Sequence, residues 1–162
     1  MLFRSLGYAR STEPQFAPVP LNEVIEDILL LARPRLRQQS VELVTGLADR
    51  LPSLNADRHQ LEQACLNLIL NAIEAMPEGG TLTIRSAVTA PGRVELAFTD
   101  TGTGIAADVK EQLFRPFLTT KTAGTGLGLA IVQKIVEAHD GTIEIDSQPG
   151  RGTTARLVFR VA

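Results

Sequence analysis

A stripe of apolar residues between positions 61 and 76 constrains this chain more than any other feature. Leu61, Ala64, Cys65, Leu68, Ile69, Ala72, Ile73 and Met76 recur at the i, i+3, i+4, i+7 spacing of a helix that buries one face. Asp57 with Gln60 three residues on has the form of a capping box at its start, and Pro77-Glu78-Gly79-Gly80 stops it. The stretches around this helix read with a period of two. Thr81–Ala87 and Val94–Phe98 predict a hairpin around Ala90-Pro91-Gly92, and Thr142–Asp146 and Thr154–Val161 predict another around Gln148–Gly152. A first helix is expected from Leu21, capped by Asn22 and ended or kinked by Pro34, and a third should run to about His139. Val41–Leu47 and Leu51–Leu54 read as short strands around a turn. Strands that mostly pair locally, with helices spread between them, imply an α+β fold. The expected architecture is a two-layer α/β sandwich with a mixed sheet and the helices on one face. The strict alternation of a doubly wound fold is absent.

Residues before Leu21 read differently. Pro14, Pro18 and Pro20 disfavour both helix and strand, so Thr12–Pro20 is expected to be a linker. Met1–Arg10 suits either the end of a helix from an upstream domain or a frayed terminus. The domain proper is therefore placed at 21–162.

Composition narrows the function classes. A length of 162 residues fits one domain of ordinary size. With 16 basic against 18 acidic residues the net charge is −2, which argues against a nucleic-acid partner. Cys65 is the only cysteine, so an internal disulfide and a cysteine zinc site are excluded, and a reducing, cytoplasmic setting is expected. The longest fully apolar run, Ile28–Ala32, is far shorter than a membrane span, so no direct membrane contact is expected. There are two histidines, His59 and His139.

Glycine carries the first chemical signal. Gly102 and Gly104 follow an apolar strand in Asp100-Thr101-Gly102-Thr103-Gly104, and Gly124, Gly126 and Gly128 open a helix in Gly124-Thr125-Gly126-Leu127-Gly128-Leu129. Glycine lets backbone approach a ligand closely, and free N–H groups at a helix start attract phosphate. A loose surface loop before a tightly packed helix is the plainer alternative. Common nucleotide signatures do not fit: there is no Gly-Lys pair for a P-loop, and Leu129 stands where a dinucleotide motif needs its last glycine. Asparagine carries the second signal. Asn67 and Asn71 share a helix face and Glu74 follows one turn on, although asparagine is a poor helix former. An exposed polar face would explain them; so would metal binding, since an amide oxygen is a hard ligand suited to Mg²⁺.

In combination these segments resemble bacterial sensor histidine kinases. Asn67-Leu-Ile-Leu-Asn71-Ala-Ile-Glu-Ala-Met76 is similar to their asparagine box, Asp100–Gly104 to their first glycine box, Phe114-Arg-Pro-Phe-Leu-Thr-Thr-Lys121 to their phenylalanine box, and Gly124–Leu129 to their second glycine box. The boxes stand in family order, Gly152-Thr153-Thr154 also matches, and the style is that of nitrogen-regulation kinases. The resemblance implies the GHKL (Bergerat) ATP-binding fold and protein-histidine kinase activity with ATP and Mg²⁺. It implies that Asp100 accepts from the exocyclic amine of adenine, that Gly102, Gly104 and Ile105 approach the ring, and that Asn71 ligates Mg²⁺ with Asn67 near the phosphates. Gly124, Thr125, Gly126, Leu127 and Gly128 would offer backbone to the phosphates, residues from Ile105 to Ala123 would form a lid, and Lys121 would face the γ-phosphate. Thr153 or Thr154 would join the adenine network, and the sequence does not choose between them.

One departure has consequences. Hydrolysing members of the superfamily (gyrase B, mismatch-repair and heat-shock chaperone ATPases) carry a glutamate base one turn before the metal asparagine, where this chain has Asn67. Many sensor kinases also carry lysine where Glu74 stands. Phosphate transfer to another acceptor is therefore expected, and efficient hydrolysis is not. Neither histidine has the setting of a phosphoacceptor, so the partner would be a histidine-containing dimerisation domain, to which residues 1–20 would lead, with a response regulator downstream. The parent protein could be membrane-anchored, and the chain alone is expected to be monomeric. A serine kinase of the anti-sigma type and a non-catalytic interaction module are the competing functions.

Overall fold

The computed structural model describes residues 13–105 and 128–161. In chain order the elements are β1 (Ala17–Val19), α1 (Leu21–Gln38), β2 (Val41–Gly46), β3 (Leu54–Ala56), α2 (Arg58–Glu74), β4 (Gly80–Ala90), β5 (Arg93–Asp100), α3 (Gly128–Ala138), β6 (Thr142–Ser147) and β7 (Thr153–Arg160). The main sheet has the order β2-β4-β5-β7-β6. β2 runs parallel to β4, and the remaining pairs are antiparallel. The sheet is therefore mixed, as expected.

Alternation along the strands builds the second layer. Val94, Leu96 and Phe98 of β5 and Ala155, Leu157 and Phe159 of β7 are buried, while the residues between them stay partly exposed. Helices α1, α2 and α3 cover that apolar face, joining the strands in a single core. The other face carries polar pairs such as Arg156 with Glu95 and the hydroxyls of Thr99 and Thr154, 3.0 Å apart. The apolar stripe that opened the sequence reading is fully inside: Leu61, Ala64, Cys65, Leu68, Ile69, Ala72 and Ile73 are all buried. Burial, with a smaller contribution from the charge of Glu62, pushes the Cys65 thiol up to about 12, so it stays protonated and packs as a small apolar residue.

Four local expectations need correction. Pro34 does not end α1, which runs on to Gln38. Proline removes the hydrogen bond to the Leu30 carbonyl, but Leu30 and Pro34 lie on the solvent side, where water can satisfy that oxygen. Buried Ala32 and Leu36 hold both halves of the helix on the core. Asn22 does not cap α1; its side chain donates to the Ala48 carbonyl and accepts from Ser86 Oγ. Leu51–Leu54 does not pair with the strand at 41, which joins the main sheet instead. Finally, the proline-rich segment does contain a strand: β1 pairs with β3 in a separate two-stranded sheet, and Val19 is buried. β1 has a strand neighbour on one side only, so Pro18 needs no donor on the other.

The start of α2 is held by groups far away in sequence. Asp57 caps it as expected, accepting from Gln60 N–H at 3.2 Å, while its other oxygen accepts from Gln15 N–H at 2.9 Å. The reciprocal bond of a capping box is replaced: Asp57 N–H donates to His139 Nε2 at 3.0 Å. An accepting Nε2 puts the ring proton on Nδ1, which donates to the Ile135 carbonyl at 2.7 Å. His139 is buried, stacks on Phe16 and meets Phe159 edge-on. Both nitrogens are engaged, so this histidine joins the segment leading into β1, the start of α2 and the end of α3. His139→Ala should lower the unfolding free energy by about 2–3 kcal/mol in urea titration, because the Asp57 donor is left buried without an acceptor. His59→Ala should stay within about 0.5 kcal/mol, since the His59 side chain is 86% exposed.

Candidate nucleotide site

Asp100 ends β5 on the helix-side face, and its carboxylate is buried. Residues directly opposite in an antiparallel ladder share a face. Leu82 lies opposite Asp100, Asp100 opposite Thr153, and Thr153 opposite Ser147, so a row runs across β4, β5, β7 and β6 at one end of the sheet. The row distinguishes the two threonines by face. Thr153 sits beside Asp100, whereas Thr154 is on the opposite face with Thr99.

The segment after Asp100 is clipped in place from four directions. Asp100 Oδ1 accepts from Gly102 N–H at 2.8 Å, and Thr103 N–H donates to the Ala75 carbonyl at the end of α2 at 3.0 Å. The Thr103 carbonyl accepts from Gly150 N–H at 2.7 Å, and Ile105 N–H donates to Ser147 Oγ at 2.8 Å. Such close crossings explain the glycines in terms of the fold itself. A β-carbon on Gly102 would fall 2.3 Å from the Ala75 carbonyl oxygen. Gly104, at φ +73°, would bring one to 1.9 Å from the Gln148 oxygen, and Gly152, at φ +86°, to 2.1 Å from the Asp100 oxygen.

Asn67 and Asn71 stand half-buried on α2, with Glu74 one turn beyond. Gly128, which opens α3, lies against the Asn71 amide; a β-carbon there would contact its oxygen and nitrogen at 3.4 Å. Thus the asparagine helix, the Asp100 row and the start of α3 converge on one end of the domain. Lys121, Gly124, Thr125, Gly126 and Leu127, the phenylalanine segment and all of the expected lid except Ile105 lie outside the described residues. Sequence reasoning missed Ser147 and the Ala75 carbonyl. Ser147 was findable: it continues the alternation of Ile143 and Ile145, so a hydroxyl at that place faces inward. The Ala75 carbonyl has no side-chain signature.

Residues 56–162 match the family described as histidine kinase-, DNA gyrase B- and HSP90-like ATPase. The sensor histidine kinase ZraS of Escherichia coli K12 is 40% identical over 152 residues, covering 94% of this chain and 32% of its own length. The solved catalytic domain of histidine kinase ThkA is 33% identical with a TM-score of 0.81, and the match covers 90% of this chain and 95% of that one. The chain belongs to the histidine kinase catalytic domains. ThkA has also been solved in complex with the response regulator protein TrrA, where the match has a TM-score of 0.80 at 28% identity and covers 99% of this chain and 46% of that one. The mixed five-stranded sheet with helices on one face is the GHKL fold of these kinase domains, whose family binds ATP. This chain spans about a third of the length of ZraS.

The glycine crossings of this kinase domain separate strain from collision. Gly150 has φ +76°, but a β-carbon there meets nothing within 4 Å. Gly150→Ala should therefore cost only the backbone penalty of about 1–2 kcal/mol. Gly104→Ala adds a clash with backbone and should cost at least about 3 kcal/mol by chemical denaturation. Equal costs for the two would show that the loop moves aside freely.

Proposed function

We propose that this chain binds Mg·ATP at the Asp100 end of its sheet and passes the γ-phosphoryl group to a histidine on a separate dimerisation domain. The observation that carries this reading is the buried Asp100 carboxylate, set beside Thr153 within a histidine kinase catalytic domain. A carboxylate accepts hydrogen bonds only, so it suits the exocyclic amine of adenine and repels the carbonyl of guanine. Gly102, Gly104 and Ile105 carry the backbone that would line the ring, with Thr153 as the second polar group beside Asp100. Lys121, Gly124, Thr125, Gly126, Leu127 and Gly128 are proposed for the phosphates.

Asn71 is the proposed Mg²⁺ ligand. Its neutral amide oxygen suits a hard cation, and its half-buried position against Gly128 leaves it at the junction of α2 and α3. Among the described residues no group of three or more His, Cys, Asp or Glu could hold a metal ion. Phosphate oxygens of the bound nucleotide would supply further ligands. When bound, Mg²⁺ would neutralise charge that develops on the transferring phosphate. The amide of Asn67 takes no proton and cannot activate water as a glutamate would, which supports transfer over hydrolysis. Catalysis by this chain's own residues is then positioning and charge compensation.

The acceptor is proposed to lie on another domain. His139 is buried with both nitrogens bonded, and His59 is exposed at the first turn of α2. Residues 1–20 are proposed to lead from that domain into residues 21–162, and a response regulator would draw phosphate from the acceptor, in keeping with the ThkA–TrrA complex. Among the described residues no helix is long and apolar enough to cross a membrane. A cytoplasmic site of action, a parent protein anchored elsewhere and a monomeric state for the chain alone complete the reading.

Mixing the chain with candidate dimerisation domains and radiolabelled ATP should give acid-labile label on the partner; acid-stable label would favour a serine acceptor. Asp100→Asn should weaken ATP affinity by roughly ten- to a hundred-fold in calorimetry, as expected for a lost charged hydrogen bond. Unchanged affinity would remove the adenine assignment. Asn71→Ala should abolish Mg²⁺-dependent transfer, and retained transfer would move the metal elsewhere.

A further inference from the structure

The Ser147 hydroxyl has more partners than a single O–H can serve in any but one arrangement. Its Oγ lies 2.8 Å from Ile105 N–H, 3.1 Å from the Gly152 carbonyl and 2.8 Å from Thr153 Oγ1. The backbone N–H of Ile105 can only donate, and the carbonyl of Gly152 can only accept. Ser147 has one proton, and giving it to Gly152 leaves its oxygen as the acceptor for both others. All three contacts are hydrogen bonds at once only when Thr153 donates to Ser147.

That assignment fixes the polarity of Thr153. With its proton turned toward Ser147, its oxygen keeps only lone pairs for anything on the Asp100 side of the row. We infer that Ser147 is a specificity-positioning residue: by taking the Thr153 proton, it makes Thr153 and Asp100 two acceptors side by side and so enforces selection of a ligand that donates there. An amino group satisfies both, directly or through a water that gives its protons to the two acceptors. A ring carbonyl at the same place meets only lone pairs. Ser147 does this without touching the base, and its bond to Ile105 holds the glycine segment against the same row. The inference rests on the adenine reading of Asp100 given above.

Paired titrations with ATP and with ITP test it, because ITP replaces the exocyclic amine by a carbonyl. Calorimetry on the whole chain with Mg²⁺ present should show Ser147→Ala losing about ten-fold of the ATP-over-ITP preference, the ratio expected when one neutral hydrogen bond changes sense. Thr153→Ala should lose a similar factor, and the double variant no more than either alone, since both act through one hydroxyl. Ser147→Thr, which keeps the hydroxyl, should retain the preference. An equal fall in both affinities for Ser147→Ala would mean that Ser147 only holds the loop, and would overturn the inference. An unchanged ratio would overturn it too. Asp100→Asn separates the two layers: if that variant loses ATP while Ser147→Ala leaves the ratio untouched, the adenine reading stands and the role of Ser147 falls. If Asp100→Asn binds ATP normally, both fall together.

Discussion

Helix α2 is pinned at both ends by hydrogen bonds from distant parts of the chain, and the geometry of the candidate site follows from that. At its start the Asp57 N–H is held by His139 and the Asp57 carboxylate by the capping amide and Gln15. At its end the Ala75 carbonyl takes the N–H of Thr103. Each such bond is worth only about 0.5–1.5 kcal/mol net, but leaving one buried and unmade costs more. Between the two pins the apolar stripe of α2 lies against the sheet and α3. The helix therefore cannot slide or roll without breaking a buried contact, and the face bearing Asn67 and Asn71 is fixed relative to Asp100.

The same economy of contacts governs the loop beyond Asp100. It crosses the end of α2 and the β6–β7 turn so closely that only hydrogen fits at Gly102, Gly104 and Gly152. The glycines thus answer two demands. Any approach of a ligand to this backbone is possible because the backbone already approaches itself, with no β-carbon in between. In the proposed site, selectivity would come from hydrogen-bond sense: a carboxylate at Asp100 accepts, and the contacts of Ser147 turn the Thr153 proton away from it.

Much of this was legible in the sequence because burial leaves periodic traces. The α2 stripe, the β4–β5 hairpin and the β6–β7 hairpin each follow from apolar spacing over a long enough run, and Asp57 was recognisable as a cap by its side chain. The failures fell where a short segment depends on a distant partner. Ala17–Val19 has too few residues to show a period and two nearby prolines, yet it is a strand because Leu54–Ala56 offers it an edge. Pro34 was expected to end or kink a helix, but whether it ends one depends on whether the freed carbonyl can reach water, which sequence does not state. Asn22 had the chemistry of a cap, and the Ala48 carbonyl and Ser86 hydroxyl claim it instead.

The sequence by itself determined the layer order, the candidate residues and the likeness to histidine kinases, since these rest on local spacing and on residue types that few other chemistries use together. Only the tertiary structure decided how those residues meet. Strand register, set by pairings across the sheet, put Thr153 rather than Thr154 beside Asp100. Proton counting at Ser147 required three partners from three parts of the chain. The sequence already set His139 aside as a phosphoacceptor, and the structure shows what it does instead: its two nitrogens engage Asp57 and Ile135, so it is a buried joint. Spacing along a chain fixes which face a residue occupies, but hydrogen-bond sense depends on what stands opposite, and that is known only when the chain has folded.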